Sequence, residues 1–381
     1  MSELKEKKIL LLANTSWYLY NFRNALIDKL ISQNYKVIII APFDEYTSEL
    51  KAKELELICW NLNRRSINPI KEFFSILELI KVYKKYSPSL VHHFTIKGCL
   101  YGSIAARLVT KSKIINHITG LGPSFFGTSK RVRIINRLLR PLYKYTFKSK
   151  NSKVIFHNQD DKNIFNKLKL AKTEDSIVIN GSGVDTTYFS SKGIKTDYSH
   201  PPQILFPARV IREKGFIELL IACKELWNEG HEFTLNIAGS LDHGNRSSLT
   251  NNEIDLITNS NKLVFHGRVK DIRNLYLDTD IVVLPSWREG MSRSLIEASS
   301  MELPIITTDV PGCKEIVQHE NTGLIVPVRD SLRLKGAIKY LLVNMETAIS
   351  FGKNARQKII KDYEIETINK MILCIYDSLI N

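Results

Sequence analysis

The chain reads as an α/β protein built from two doubly wound, Rossmann-like halves, and three observations carry that reading. Short apolar runs alternate with helical patterns through the first 185 residues, and the alternation restarts after residue 202. A polar stretch from Ser190 to Pro201-Pro202 marks the junction. The charge is also divided. Residues 1–200 hold 33 Lys+Arg against 16 Asp+Glu, whereas residues 201–381 hold 21 against 23. One half is basic and the other close to neutral, which predicts an anionic partner for the first half only. We therefore place one domain at 1–185, a linker at 186–202 and a second domain at 203–362, with a cleft between the domains.

At 381 residues there is room for two ordinary domains. A hydrophobic share of 44% and a charged share of 24% are those of a globular protein. No run of 18 apolar residues offers a membrane span. The apolar run near the N-terminus is too short for a secretion signal. Five scattered cysteines without a CxxC pair argue for a reducing compartment and against structural zinc, so the expected location is cytoplasmic.

In the first half, Lys8–Ala13 predicts a buried strand, and a helix follows to about Gln33. The loop between them has no glycine, so the GxGxxG of a dinucleotide site is absent. Asn14, Asn21 and Arg23 at this strand end either meet a polar ligand or serve locally, as a helix cap (Asn14 or Ser16) and a surface arginine. Val37–Ala41, Leu55–Trp60, Leu90–Phe94, Ile114–Ile118, Val154–His157 and Ile177–Ile179 predict further strands. A helix from Asn68-Pro69 to Tyr86 and another over Lys97–Leu108 lie between them. His92 and His93 alternate across a strand and have no third ligand nearby, so no metal is assigned to them.

Residues 129–150 hold eight basic residues and no acid. Lys130, Arg133, Arg137, Arg140, Lys144 and Lys148 recur every three or four residues beside an Ile/Leu face, with Pro141 inside. The pattern suits an anionic membrane surface; the competing reading packs the apolar face on the sheet. Nucleic acid is not expected, because no recognition motif accompanies the charge.

In the second half, strands are predicted at Ile204–Phe206, Phe233–Ala238, Leu263–His266, Ile281–Leu284, Pro304–Thr307 and Gly323–Val326, with a helical tail from Asn354. The stretch Leu284–Glu297 reads as strand, loop and helix, which sets a helix N-terminus at the sheet's C-terminal edge, a favoured anion site. Glu289 and Glu297 are eight residues apart. If most of that interval were helical, they would stand about 12 Å apart along the axis. That suits a ligand with a hydroxyl-rich group on either side of a pyrophosphate, as in a nucleotide-sugar. A solvated helix face is the alternative. Arg209 and Lys214-Gly215 lie just past another strand end, where a planar fork and a point charge can hold phosphate. Asp278-Thr279-Asp280 precedes a buried strand and reads as a turn, not a metal site.

The ExxxxxxxE pattern and RxxxxKG together resemble the retaining glycosyltransferases of family 4, with the GT-B fold. That resemblance covers nearly all of residues 203–328. It implies that Glu289 meets the donor hexose, Glu297 the ribose, and Arg209 and Lys214 the donor phosphates. The helix start near Gly290, Met291 and Ser292 would help to neutralise the leaving UDP without a metal or other cofactor. His266-Gly267-Arg268-Val269 corresponds to the loop framing the nucleobase, and Gly239 to a close-approach position. A final helix, about 363–381, is implied to pack back on the first domain. Asn21-Phe22-Arg23, Asp44-Glu45-Tyr46-Thr47, Arg64-x-Ser66-x-Asn68-Pro69, Gly120-Leu121-Gly122 and Arg288-Glu289-Gly290 resemble bacterial N-acetylgalactosaminyltransferases acting on undecaprenyl-diphosphate sugars. A nucleotide-sugar donor, a lipid-linked glycan acceptor and an enzyme peripheral to the inner face of the cell membrane follow as implications. Asn14, Asn21, Arg23, Thr119 and Gly120 then fall to the acceptor side. Where many members carry a catalytic His just before the Gly, this chain has Thr119-Gly120, with His117 two residues earlier as either a participant or a packed strand residue. By resemblance, a leaving phosphate oxygen can take the acceptor's proton instead. Within the enzyme class, galactosyl or N-acetylglucosaminyl transfer is the alternative; outside it, a non-catalytic membrane-binding scaffold.

Overall fold

The computed structural model describes residues 7–63, 66, 68–121, 125, 130–149, 151–191, 201–242, 247–250, 253–254 and 261–380, with only the backbone of 130–136 and 138. The readings placed on Arg64 and Gly122, and on the side chains of Lys130 and Arg133, lie outside the described residues. The chain divides into two compact units, Met1–Ser182 with Glu366–Asn381, and Gly183–Ile365.

The first unit holds a seven-stranded parallel sheet. Its strands are β1 (Lys8–Leu12), β2 (Lys36–Ala41), β3 (Glu56–Cys59), β4 (Leu90–Phe94), β5 (Lys113–Ile118), β6 (Ser152–Phe156) and β7 (Ser176–Val178), in the order β3-β2-β1-β4-β5-β6-β7. Runs such as Val37–Ala41 are buried throughout because helices cover both faces, the arrangement that favours continuous apolar strands over alternating ones. The strand expected at Leu55–Trp60 is shorter, Glu56–Cys59, because β3 is the sheet edge and its residues are only partly covered. On one face, the helix Ser16–Ser32 and the last helix, Ile365–Ile380, bury Leu26, Ile27, Ile368 and Ile372. On the other, the helices Pro69–Tyr86, Ile96–Val109 and Lys130–Phe147 lie side by side, with Ile96–Val109 in the middle, over Leu79, Tyr83 and Phe147.

The first helix is capped by neither Asn14 nor Ser16. Thr15, extended at φ −160°, accepts from the Tyr18 N–H at 3.1 Å, since only it precedes the first turn by the right step. The tail from Asn354 is not one helix either. Met345–Asp362 ends at buried Tyr363, whose hydroxyl donates to the Glu315 carbonyl at 2.9 Å, and the last helix starts at Ile365.

The second unit holds six parallel strands: β8 (Gln203–Phe206), β9 (Thr234–Ala238), β10 (Leu263–Gly267), β11 (Ile281–Leu284), β12 (Ile305–Thr308) and β13 (Gly323–Val326). Their order is β10-β9-β8-β11-β12-β13. The expected Pro304–Thr307 strand sits one residue later, because proline has no N–H to give the ladder. Asp278-Thr279-Asp280 is an anchoring turn: Asp280 exchanges hydrogen bonds with Gln203 (2.7 and 2.8 Å), and Thr279 donates to the Leu275 carbonyl at 2.6 Å.

Candidate active site

Strand order decides which loops meet. In the second unit the chain winds one way from β8 through β9 to β10 and the other way from β11 to β13, so the order reverses between β8 and β11. The loops after those two strands open a crevice at the sheet's C-terminal edge, where open α/β sheets bind ligands. One loop carries Arg209 and Lys214, and the other carries Glu289. Lys214 Nζ donates to Glu289 Oε1 across that point, and Ser286 Oγ donates to the same oxygen at 2.8 Å. The two loops are further tied by Trp287, whose N–H donates to the Glu213 carbonyl at 2.9 Å and whose Nε1 donates to Glu218 at 3.1 Å.

Two glycines allow this approach. Gly215 has φ +72°, and a Cβ there would stand 2.0 Å from the Pro285 carbonyl oxygen, so only glycine lets the Lys214 loop lie against the Glu289 loop. At Gly239 a Cβ would meet the Ala208 carbonyl oxygen at 1.8 Å. Its close approach is therefore to the loop that holds Arg209.

The helix after the Glu289 loop runs Arg293–Ser300 with Ser292 at its N-cap. Glu289 thus stands in the loop, only Arg293 to Glu297 of the interval is helical, and the 12 Å figure for a helical interval does not apply. The half-buried loop residues Gly290 and Met291 and buried Ser292 precede the first turn, and helix N–H groups are directed toward that end. Ser292 N donates to the Gly312 carbonyl at 2.9 Å. Glu297 is largely buried and accepts from Arg293 Nε at 2.6 Å and from the Tyr276 hydroxyl at 3.5 Å. Burial raises its pKa above the ordinary carboxylate value, with Arg293 opposing the shift. Arg209 pairs with Asp242 at 2.5 Å and is about half exposed. His266, Arg268 and Val269 follow at the end of β10. His266 Nε2 lies 2.9 Å from Asn236 Oδ1, and Val269 packs on the core.

The structure thus brings Lys214 to Glu289, and Glu297 to Arg293. The sequence reading missed Ser286, Trp287, Tyr276, Asp242 and Arg293. Only Arg293, at i−4 from Glu297 on one helix, had a local signal.

The first unit presents a different chemistry. Arg23, for which a surface position was one of two readings, is 1% exposed. Its guanidinium donates to the Tyr18 hydroxyl at 2.9 and 3.1 Å, lies 3.4 Å from Nε2 of both His117 and His157, and stacks 4.8 Å over Phe94. It is buried because the second turn of its helix faces the sheet, where β5 and the end of β6 supply the histidines. His92 Nε2 stands 3.2 Å from His117 Nδ1, and His92 Nδ1 stands 2.7 Å from the Tyr376 hydroxyl of the last helix. His117 and His92 are held well below the usual histidine range by burial and then by Arg23, and His157 is pushed down to about 3 by the same causes. These imidazoles stay neutral beside a buried cation.

Of the other residues placed on this side, Asn14 is half-buried in the loop after β1, and Asn21 donates to the Trp17 carbonyl at 2.9 Å within its own helix. Thr119 and Gly120 are half-buried just past β5. Among the described residues no cluster of three or more His, Cys, Asp or Glu is arranged to hold a metal ion.

In the helix Lys130–Phe147, Arg137, Arg140 and Lys144 are exposed. Leu139, Leu142, Tyr143 and Phe147 instead pack on the sheet. Most of its described apolar side chains thus belong to the core, and it shows solvent its cations with Tyr145 among them. Among the described residues no helix is long and apolar enough to cross a membrane.

Residues 190–358 match the family model for glycosyl transferases group 1, and residues 8–158 match the glycosyl transferase 4-like model. The chain is 26% identical, over 95% of its length and 96% of the relative's, to a Campylobacter jejuni N,N'-diacetylbacillosaminyl-diphospho-undecaprenol alpha-1,3-N-acetylgalactosaminyltransferase. It is 25% identical, over 79% of its length and 78% of the relative's, to an Escherichia coli UDP-Gal:alpha-D-GlcNAc-diphosphoundecaprenol alpha-1,3-galactosyltransferase. Among solved structures, a Rickettsia africae glycosyltransferase superposes with a TM-score of 0.78 at 21% identity, covering 98% of this chain and 99% of that one. The Anabaena HepE protein solved with UDP-glucose does so with a TM-score of 0.78 at 18% identity, covering 97% and 99%. The architecture of two doubly wound units is the GT-B fold.

Proposed function

Because the chain belongs to the glycosyltransferases whose models match its two halves, we propose that it moves N-acetylgalactosamine from a UDP-sugar to a sugar carried on polyprenyl diphosphate, in surface or protein-linked glycan assembly. The observation that carries the donor side is the meeting of Lys214 and Glu289 at the switch point of the second sheet. Support for the acceptor class comes from the Campylobacter relative, which aligns over nearly the whole chain.

In this reading Glu289 receives the hexose, Glu297 the ribose hydroxyls, and Lys214 with Arg209 the pyrophosphate. Gly290, Met291 and Ser292 lead the helix N-terminus toward the phosphates. His266, Arg268, Val269 and Gly239 border the nucleobase end. Transfer proceeds with retention: the leaving phosphate oxygen takes the acceptor hydroxyl's proton, and the cations stabilise the charge on UDP without a metal or other cofactor. Arg23, with Asn14, Asn21, Thr119 and Gly120, serves the acceptor side. His117, 0% exposed, holds Arg23 in place. The enzyme works at the inner face of the cell membrane, held peripherally by the cations of residues 129–150. A galactosyl donor is the second reading, favoured by the name of the Escherichia coli relative.

The test is thermal-shift stabilisation by UDP, UDP-GalNAc, UDP-GlcNAc, UDP-galactose and GDP-mannose side by side, since a ligand of the folded state raises the midpoint with its affinity. The largest shift is expected with UDP-GalNAc. A flat response to every nucleotide would remove the donor site.

A further inference from the structure

The three helices that cover one face of the first sheet, Pro69–Tyr86, Ile96–Val109 and Lys130–Phe147, carry twelve basic residues and two acids, Glu72 and Glu78. Both acids are engaged locally, Glu72 with Lys97 at 3.0 Å and Glu78 with Asn61 at 3.0 and 3.1 Å. The outer surface of this layer is therefore cationic.

Its exposed apolar residues cluster at the start of the first of these helices. Ile70, Phe73 and Phe74 are 66%, 57% and 63% exposed, at i, i+3 and i+4 on the first two turns of Pro69–Tyr86. Ser75, Leu79 and Tyr83 on the opposite side face the core. Continuing along the outer face at helical spacing, the next exposed residues are Lys81, Lys84 and Lys85. One face thus runs from aromatic to cationic over about 22 Å. This helix follows β3, so its aromatic end lies at the C-terminal edge of the sheet, the edge at which such folds bind ligands.

We infer that the outer face of this helix layer seats on an anionic bilayer, with Ile70, Phe73 and Phe74 entering the acyl boundary and the lysines and arginines at the headgroups. Two exposed phenylalanines and an isoleucine together are the apolar payload of an interfacial helix, and the cations beside them supply the charge attraction. From its described residues the basic helix Lys130–Phe147 adds only Tyr145 to the apolar part, because Leu139, Leu142, Tyr143 and Phe147 turn to the core. The inference adds a second helix to the membrane contact proposed above. It does not depend on which sugar is transferred, so a failed transferase assay leaves it standing.

The full chain is tested on phosphatidylcholine vesicles with and without phosphatidylglycerol. Phe73→Ser with Phe74→Ser should weaken partition onto the anionic vesicles by at least about tenfold, with an unchanged thermal midpoint because both side chains are exposed. Phe74→Trp should add quenching by brominated lipid beyond that of the wild-type chain. Neutralising Arg137, Arg140 and Lys144 should lower binding only to the anionic vesicles. Equal partition of the serine double variant overturns the inference, as does the absence of added quenching from bound Phe74→Trp. A vesicle-free dimer that the double variant abolishes would overturn it as well, by assigning the patch to a second copy of the chain.

Discussion

The charged centres of the two units are built on opposite principles. In the second unit three cations of the candidate site have carboxylates: Lys214 has Glu289, Arg209 has Asp242, and Arg293 has Glu297. In the first unit Arg23 is buried among a tyrosine hydroxyl, two imidazoles and a phenyl ring. Paired, partly open charges can exchange partners with an entering anion at small cost, whereas a buried cation among neutral groups is held by the fold itself. The second centre is suited to a ligand that comes and goes, and the first to a fixed positive charge. Neutral histidines are what let that charge persist, since a protonated imidazole 3.4 Å from the guanidinium would repel it.

The largest effect expected from breaking this contrast is on turnover. Glu289→Ala should lower transfer at least about 10²-fold, or ~2.7 kcal/mol of transition-state stabilisation, while UDP still raises the thermal midpoint. Undiminished turnover in the presence of normal UDP binding would take Glu289 out of the site.

Next in size is the stability of the first unit. Arg23→Ala leaves a cavity and strands the groups around it, so it should cost about 3 kcal/mol and lower that unit's calorimetric midpoint by roughly 6–10 °C. Arg209→Ala, at a half-exposed position, should stay within about 0.5 kcal/mol of wild type. Equal losses at the two sites would erase the distinction between a fixed and an exchangeable charge.

The acid response is the most diagnostic, because the two units should answer acid in opposite directions. An unfolded histidine titrates near 6.5. In the fold, burial pushes His157 down to about 3 and His93 to about 4, and holds His92 and His117 well below the usual range. Above pH 6.5 neither state binds these protons and their contribution is complete. Below it the unfolded chain takes protons that the folded one refuses. Stability then falls by up to about 1.4 kcal/mol per pH unit for each histidine until the folded values are reached. Glu297 in the second unit has the reverse sign. Its raised pKa means that its contribution is complete below the ordinary value of 4.5 and is lost as pH rises through the folded one. Scanning calorimetry from pH 7 to 5.5 should therefore show the first unit's transition falling ahead of the second's. If both fall together, the histidines do not set the acid response.

Much of this molecule is written in local pattern. Parallel strands covered on both faces must be apolar throughout, so Val37–Ala41 and Ile281–Leu284 are visible as runs. Strand, loop and helix at Leu284–Glu297 are visible because proline, glycine and a new helical period punctuate them. Edges are less clear: Glu56–Cys59 is short because half its surface has no cover, a fact about neighbours and not about its own residues. Pairings between distant segments were beyond reach. Lys214 finds Glu289 across 75 residues, because strand order reverses between β8 and β11 and sets their loops side by side. His92 finds Tyr376 across 284 residues, because the last helix returns to the first sheet. Phe73 and Phe74 sit in a helical pattern that would pass for core, and only the packing of Ser75, Leu79 and Tyr83 on the sheet turns them outward. Sequence by itself determined which segments form strands and helices and which residue types stand at their ends, since those follow from short-range sterics and periodic burial. Tertiary structure decided which charge meets which, and which apolar face is left for solvent, since both depend on the order in which distant strands assemble.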